Sequence, residues 1–162
     1  MSRAFVKESD GDEVYDDLPD RPVDPHPNLV TARGLALIDG EIARLQAALS
    51  DAQAKAERAA IAEASRDLRY WQARHATAEV APPAVDHEQA RFGLRVTLER
   101  GDGTRQSFHI VGVDESDPAK GRLSYVAPLA QALLGKRVGD TASFGKDGEA
   151  EIVAIEAAPA TD

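Results

Sequence analysis

The fold of the second half of the chain is decided by two stretches, Phe108-His-Ile-Val-Gly-Val-Asp-Glu-Ser-Asp117 and Ser124-Tyr-Val-Ala-Pro-Leu-Ala-Gln-Ala-Leu-Leu-Gly-Lys-Arg-Val-Gly-Asp140. The first stretch predicts a strand over residues 106–113, followed by a loop. The second predicts a short strand over 122–126 and then a helix to Leu134. Pro128 suits the first position of that helix, because proline lacks the N–H that would be unpaired there, and Gly135 suits the position just beyond its end.

The residues around these stretches complete a small sheet. From residue 91 onward, apolar residues alternate with polar or small ones, as in a half-buried strand: Phe92, Leu94, Val96 and Leu98. A turn at residues 101–103 returns the chain, and two further strands are predicted near residues 141–144 and 150–156. Residues 91–157 are therefore predicted to form a mostly antiparallel β-sheet domain with one short helix. The proline-containing residues 81–90 are predicted to be a linker.

Residues 31–80 contain no proline and show helical periodicity. Thr31 is a candidate N-cap. The first seam consists of Leu35, Ile38, Ile42, Leu45, Leu49 and Ala52, and the second of Ile61, Ala64, Leu68, Trp71, His75 and Ala78. Both seams have the alternating three- and four-residue spacing of a coiled coil, but the second is shifted by two positions, which would place it on the opposite side of one continuous helix. This shift predicts a turn within Gln53–Arg58 and an antiparallel two-helix hairpin; a single long helix that dimerises is the alternative.

Composition and charge bear on the N-terminal tail, on DNA binding and on the cellular compartment. Residues 1–30 carry eight acidic and three basic residues and four prolines, which predicts a disordered acidic tail. The net charge of −9 argues against independent binding to duplex DNA. The sequence has no cysteine, and it has no long apolar run. We therefore expect a soluble, cytoplasmic protein that does not enter a membrane.

The two opening stretches resemble the C-terminal domain of the GreA/GreB family of transcription elongation factors. The matching positions are Phe108, Ile110, Val111, Gly112, Asp114, Glu115 and Asp117 in the first, and Pro128, Ala132, Leu133, Gly135, Lys136, Gly139 and Asp140 in the second. The resemblance implies an α+β fold, in which a coiled-coil hairpin precedes an FKBP-like sheet domain. It also implies RNA polymerase as the partner, contacted at the rim of its secondary channel. The residues that would contact the polymerase are Tyr125, Val126, Ala127 and Pro128.

The sequence departs from the family pattern in two places. Val126 and Ala127 stand where the family has an acidic or polar residue and a serine. At the predicted hairpin tip, only Asp51 and Glu57 are acidic, with Lys55 between them, so these two carboxylates are weak candidates for a Mg²⁺ shared with the polymerase active site. The hairpin is also shorter than the resemblance implies, by about nine residues per arm, or roughly 13 Å at ~1.5 Å per residue.

These features predict a polymerase-binding elongation regulator that inserts its hairpin into the secondary channel without strongly stimulating transcript cleavage. Such a protein needs no cofactor of its own and is not itself an enzyme, since it acts on the active site of the polymerase. One alternative is a cleavage factor with a degenerate acidic tip. More distant alternatives are an FKBP-like prolyl isomerase or chaperone and a coiled-coil adaptor unconnected with polymerase.

Overall fold

The computed structural model describes residues 18–143 and 145–159. In chain order the elements are β1 (Leu29–Val30), α1 (Ala32–Ala54), α2 (Arg58–Ala76), β2 (Glu79–Val80), β3 (Leu94–Arg100), β4 (Arg105–Val111), β5 (Arg122–Ser124), α3 (Pro128–Leu133), β6 (Thr141–Ser143) and β7 (Glu149–Ala157). Residues 18–23 and 40–74 form one compact unit, and residues 24–39 together with those from 75 onward form a second. None of the helices among the described residues combines the length and the apolar character needed to span a bilayer.

The two long helices confirm the predicted hairpin. On the first seam, Ile38, Leu45 and Ala52 are buried and the other members are half-buried. Ala64 of the second seam is buried as well, whereas His75 is exposed and its Nε2 lies 3.2 Å from a carboxylate oxygen of Asp39. Arg74, which lies outside both seams, is almost completely buried, and the apolar spacing gave no sign of this.

The turn between the helices lies at residues 55–57, within the predicted interval. Ala56 has a φ of 55°, the left-handed conformation that usually requires glycine. The N–H of Glu57 donates to the Ala52 carbonyl at 3.0 Å, and the N–H of Ala56 donates to the Gln53 carbonyl at 3.2 Å. These two hydrogen bonds are those of a Schellman motif, which pairs the last carbonyls of α1 and stops the helix.

The sheet domain is also mostly antiparallel, as predicted. Its strand order is β5-β4-β3-β7-β6, and the only parallel pair within it joins β4 to β5. Alternate residues of β3 are buried because one face of the sheet lies on the core. The core contains Leu94, Val96, Leu98, Phe108, Ile110, Ile152 and Ile155, together with Ala130 and Leu133 from α3. Phe144, which the prediction placed at the end of β6, lies outside the described residues.

The structure differs from the predicted disordered tail at residues 28–30. Asn28 and Val30 are buried, and β1 pairs in parallel with β2, with Leu29 opposite Glu79. Gly112 is needed at this point, because a Cβ there would lie 2.5 Å from the Leu29 carbonyl oxygen. Strands of two residues are too short to show a periodicity, so the sequence did not reveal this pair. Residues 1–17 of the predicted tail lie outside the described residues.

The predicted linker also ends earlier than residue 90. Ala90 is fully buried, its N–H donates to the Lys136 carbonyl at 2.7 Å, and its carbonyl accepts from the N–H of Gly135 at 2.8 Å. Ala90 is therefore part of the sheet domain and its core. The remaining domain boundaries stay predictions.

Candidate functional site

The predicted docking residues lie at the junction between β5 and α3. The N–H of Ala127 donates to the Ser124 carbonyl at 2.9 Å, which closes a tight turn after the strand. Ala127 has an extended backbone (φ −65°, ψ 145°), as the residue before a proline prefers, and Pro128 begins α3. The junction thus exposes Pro128, while Val126 and Ala127 are half-buried.

Tyr125 holds this junction in place. Its N–H donates to the Val111 carbonyl at 2.8 Å, its hydroxyl donates to the Pro27 carbonyl, and its own carbonyl accepts from the Gln131 side-chain amide at 2.7 Å. The ring packs edge-to-face on Phe92, with centroids 5.8 Å apart. Tyr125 was predicted as a partner contact, but its contacts inside the fold identify it first as a positioning residue.

A shallow groove of about 540 Å³ runs beside Pro128. It is lined by Leu123, Ala127, Pro128, Leu129, Ala132, Ser143 and Gly145. Among the described residues that line the groove most are apolar and none is charged, so this surface can receive an apolar group. The sequence analysis missed Leu129 and Ala132 as parts of this surface, although Ala132 lies one helical turn after Pro128 and therefore on the same face.

Glu115, a member of the first motif, connects the loop after β4 to the start of α1. Its buried carboxylate accepts a hydrogen bond of 2.6 Å from the Thr31 hydroxyl, and a guanidinium nitrogen of Arg33 lies 3.5 Å from it. The Thr31 oxygen in turn accepts from the N–H of Gly34 at 2.9 Å, which confirms Thr31 as the N-cap. A Cβ at Gly34 would lie 2.9 Å from the same carboxylate. Glu115 therefore has a structural role, because it holds the loop after β4 against the start of α1.

The hairpin tip brings Asp51 and Lys55 together. The Lys55 ammonium donates to a carboxylate oxygen of Asp51 at 2.8 Å, and both side chains are more than half exposed. This hydrogen bond raises the pKa of Lys55 above its ordinary value, and the charges of Asp51 and Glu57 act in the same direction. One of the two candidate Mg²⁺ ligands is thus occupied by an ammonium group, and magnesium would have to displace it. The donor set at the tip does not fit a ready-made metal site.

Comparison with known proteins identifies the C-terminal part of the chain. The family described as "Transcription elongation factor, GreA/GreB, C-term" matches residues 85–157. The chain is 37% identical over 100 residues to the transcription elongation factor GreB of Neisseria meningitidis serogroup A, which covers 58% of this chain and 61% of the relative. It is 38% identical over 89 residues to GreA of Desulfovibrio desulfuricans, covering 54% of each chain. The chain therefore matches only about half to three-fifths of the length of these curated relatives.

The solved structures that resemble this chain are more distant. The elongation factor GreA/GreB from Nitrosomonas europaea is 19% identical, with 79% of this chain and 98% of that one covered and a TM-score of 0.41. At this identity and TM-score, the solved structure supports no conclusion about the site. The assignment rests on the sequence match over residues 85–157, which contains the whole junction and its groove.

Proposed function

We propose that this chain, whose residues 85–157 match the C-terminal domain of the GreA/GreB family of transcription elongation factors, regulates elongation by binding RNA polymerase. In this proposal the sheet domain docks at the rim of the secondary channel and the hairpin enters the channel. The protein is then not an enzyme itself, because it acts on the active site of the polymerase. The observation that carries the proposal is that the groove beside Pro128 falls inside the family-matched segment.

The groove supports docking by a small apolar contact. Pro128 is exposed at its edge, and Leu129 and Ala132 extend the apolar lining along α3. Binding energy at protein interfaces is usually concentrated in a few well-packed central residues. Val126 and Ala127 supply no polar side chain where the family has polar ones, so docking would depend on the fit of an apolar partner side chain in this groove.

The hairpin tip supports a regulator with little effect on transcript cleavage. Metal-assisted hydrolysis needs carboxylates that bind Mg²⁺ at about 2.0–2.1 Å in near-octahedral geometry. Asp51 is instead paired with Lys55 along one face of α1. Since one of the two tip carboxylates is already paired with an ammonium group, we propose occupancy of the channel without strong cleavage.

Binding to purified core RNA polymerase tests the docking surface. We expect Pro128→Asp to weaken binding by about ten-fold or more, because it places a charge in an apolar contact. Val138→Asp is the matched control, since Val138 is an exposed apolar residue of the same domain outside the groove. Unchanged affinity of Pro128→Asp would place the docking surface elsewhere.

Cleavage of nascent RNA in backtracked complexes separates the proposal from the alternative of a cleavage factor. We expect weak stimulation that Asp51→Ala and Glu57→Ala leave nearly unchanged. Strong cleavage that both substitutions abolish would favour the alternative, in which the two acids converge on a metal only inside the polymerase.

A further inference from the structure

The segment that precedes β1 is bound to the outside of α2. Arg69 Nε donates to a carboxylate oxygen of Asp20 at 2.8 Å, and a guanidinium nitrogen of Arg21 lies 3.7 Å from a carboxylate oxygen of Asp67. Asp67 also accepts from its neighbour Arg66. Two adjacent residues of the segment, one acidic and one basic, thus face a basic and an acidic residue of the helix.

Two aromatic rings of α2 complete this contact. The guanidinium carbon of Arg21 lies 4.0 Å from the ring centroid of Tyr70 and 5.9 Å from that of Trp71. The two rings are packed edge-to-face, with centroids 5.2 Å apart. A guanidinium within about 6 Å of a ring centroid is attracted by the ring's negative face. Arg21 is therefore held by both an ion pair and a cation–π contact.

The sequence around these residues prepares them for binding. Pro19 and Pro22 enclose the pair Asp20-Arg21. Proline fixes its own φ and disfavours helical conformations in the residue before it, so the segment is already close to extended before it binds. Weak contacts can then hold it, because little chain entropy is lost on binding.

We propose that Asp20 and Arg21 form a releasable latch on α2, whose closed state covers Tyr70 and Trp71. Each exposed ion pair or cation–π contact is worth only a factor of about two to five in the equilibrium constant. Salt screens the charges and shifts the latch toward its open state. Opening exposes the rings of Tyr70 and Trp71 to solvent. The latch does not depend on polymerase binding.

Trp71 reports directly on the latch, since it is the only tryptophan in the chain. We expect Arg21→Ala to increase acrylamide quenching of its fluorescence about two-fold in the full chain, with Arg21→Lys in between, because lysine keeps the charge but not the planar guanidinium. Raising KCl from 0.1 to 1 M (roughly 10 Å to 3 Å of screening length) should bring the unmodified protein toward the Arg21→Ala value and change that variant much less. Arg105→Ala, which removes an ion pair with Glu99 in the sheet domain, is the matched control.

A charge exchange distinguishes latch opening from damage to the hairpin. Asp20→Arg should increase quenching, and adding Arg69→Asp to it should restore the original value, because the opposite charges are again paired. Equal quenching in the unmodified protein and Arg21→Ala would overturn the latch. A salt response as large in Arg21→Ala as in the unmodified protein, or a double variant that stays as exposed as Asp20→Arg, would overturn it as well.

Discussion

The left-handed turn at Ala56 predicts that glycine is the better residue at this position. An L-residue in this conformation costs roughly 1–2 kcal/mol, whereas glycine adopts it freely. Glycine also has more conformational freedom to lose on folding, by about 0.5–1 kcal/mol. The difference leaves a gain of about 0.5–1 kcal/mol in the free energy of unfolding of Ala56→Gly. Ala56 is exposed, so the substitution removes no packing.

Gly40 provides the matched control in the same hairpin. It lies within α1, and a Cβ at that position meets no heavy atom within 4 Å. Gly40→Ala should therefore raise the free energy of unfolding by about 0.5–1 kcal/mol, as alanine does in a helix interior. The two substitutions exchange the same pair of amino acids in opposite directions, so only the backbone conformation can make both of them stabilising.

Urea unfolding followed through Trp71 fluorescence measures both changes. We expect both midpoints to rise with unchanged slopes, and the two effects to add in the double variant because the sites share no partner. A loss of stability in Ala56→Gly, with the gain in Gly40→Ala intact, would show that residue 56 is helical in solution. That result would refute the hairpin and restore the alternative of one continuous helix.

Three further predictions concern the base, the tip and the seams. Glu115→Ala should lower the free energy of unfolding by about 3 kcal/mol in thermal or urea unfolding, because it removes a buried carboxylate that binds the Thr31 hydroxyl beside the Arg33 guanidinium. Glu115→Gln should cause a smaller loss. If both variants lost the same small amount of stability, this role of Glu115 would be contradicted. The pKa of Lys55 lies above its ordinary value of 10.5, so the contribution of the Lys55–Asp51 pair to stability is complete below pH 10.5 and is lost as the pH rises through the raised pKa. In an NMR titration, Asp51→Asn should lower the pKa of Lys55. An unchanged pKa in this variant would contradict the pairing. Replacing Leu45 and Leu68 together by Asp should abolish helical circular dichroism from the hairpin but leave the sheet domain's amides protected, since each domain has its own core; a collapse of both would show that they fold as one unit.

The sequence predicts the elements whose causes are local. The phase shift between two apolar seams predicted a turn within Gln53–Arg58, and the turn lies inside that interval, directly after α1 ends at Ala54, even without a glycine. Pro128 and Gly135 marked the limits of α3, because each residue has few alternatives at those backbone positions. The alternation of apolar residues in β3 is also a local signal, and it predicted which face of the sheet lies on the core.

The features that the sequence did not reveal join distant residues. Thr31 and Glu115 are 84 positions apart, and Asp20 and Arg69 are 49 apart. Periodicity describes one element at a time, so it cannot say which charged residues of two elements meet. The groove was only partly predicted for a related reason: Pro128 was named from its motif, whereas Leu129 became part of the surface only once α3 was placed on the sheet.

The parallel pairing of β1 with β2 has a consequence for how this hairpin can change in length. The chain enters α1 directly after β1 and leaves α2 shortly before β2. Because β1 and β2 pair with each other, both ends of the two-helix hairpin are fixed at this two-stranded clamp. Seven residues added to each arm would preserve the seam spacing and add about 10 Å at ~1.5 Å per residue, with the clamp unchanged. Unequal additions would shift one seam against the other. Arm length is therefore free to vary in matched steps while the sheet domain keeps its structure, and a graded series of such proteins would be a set of molecular rulers.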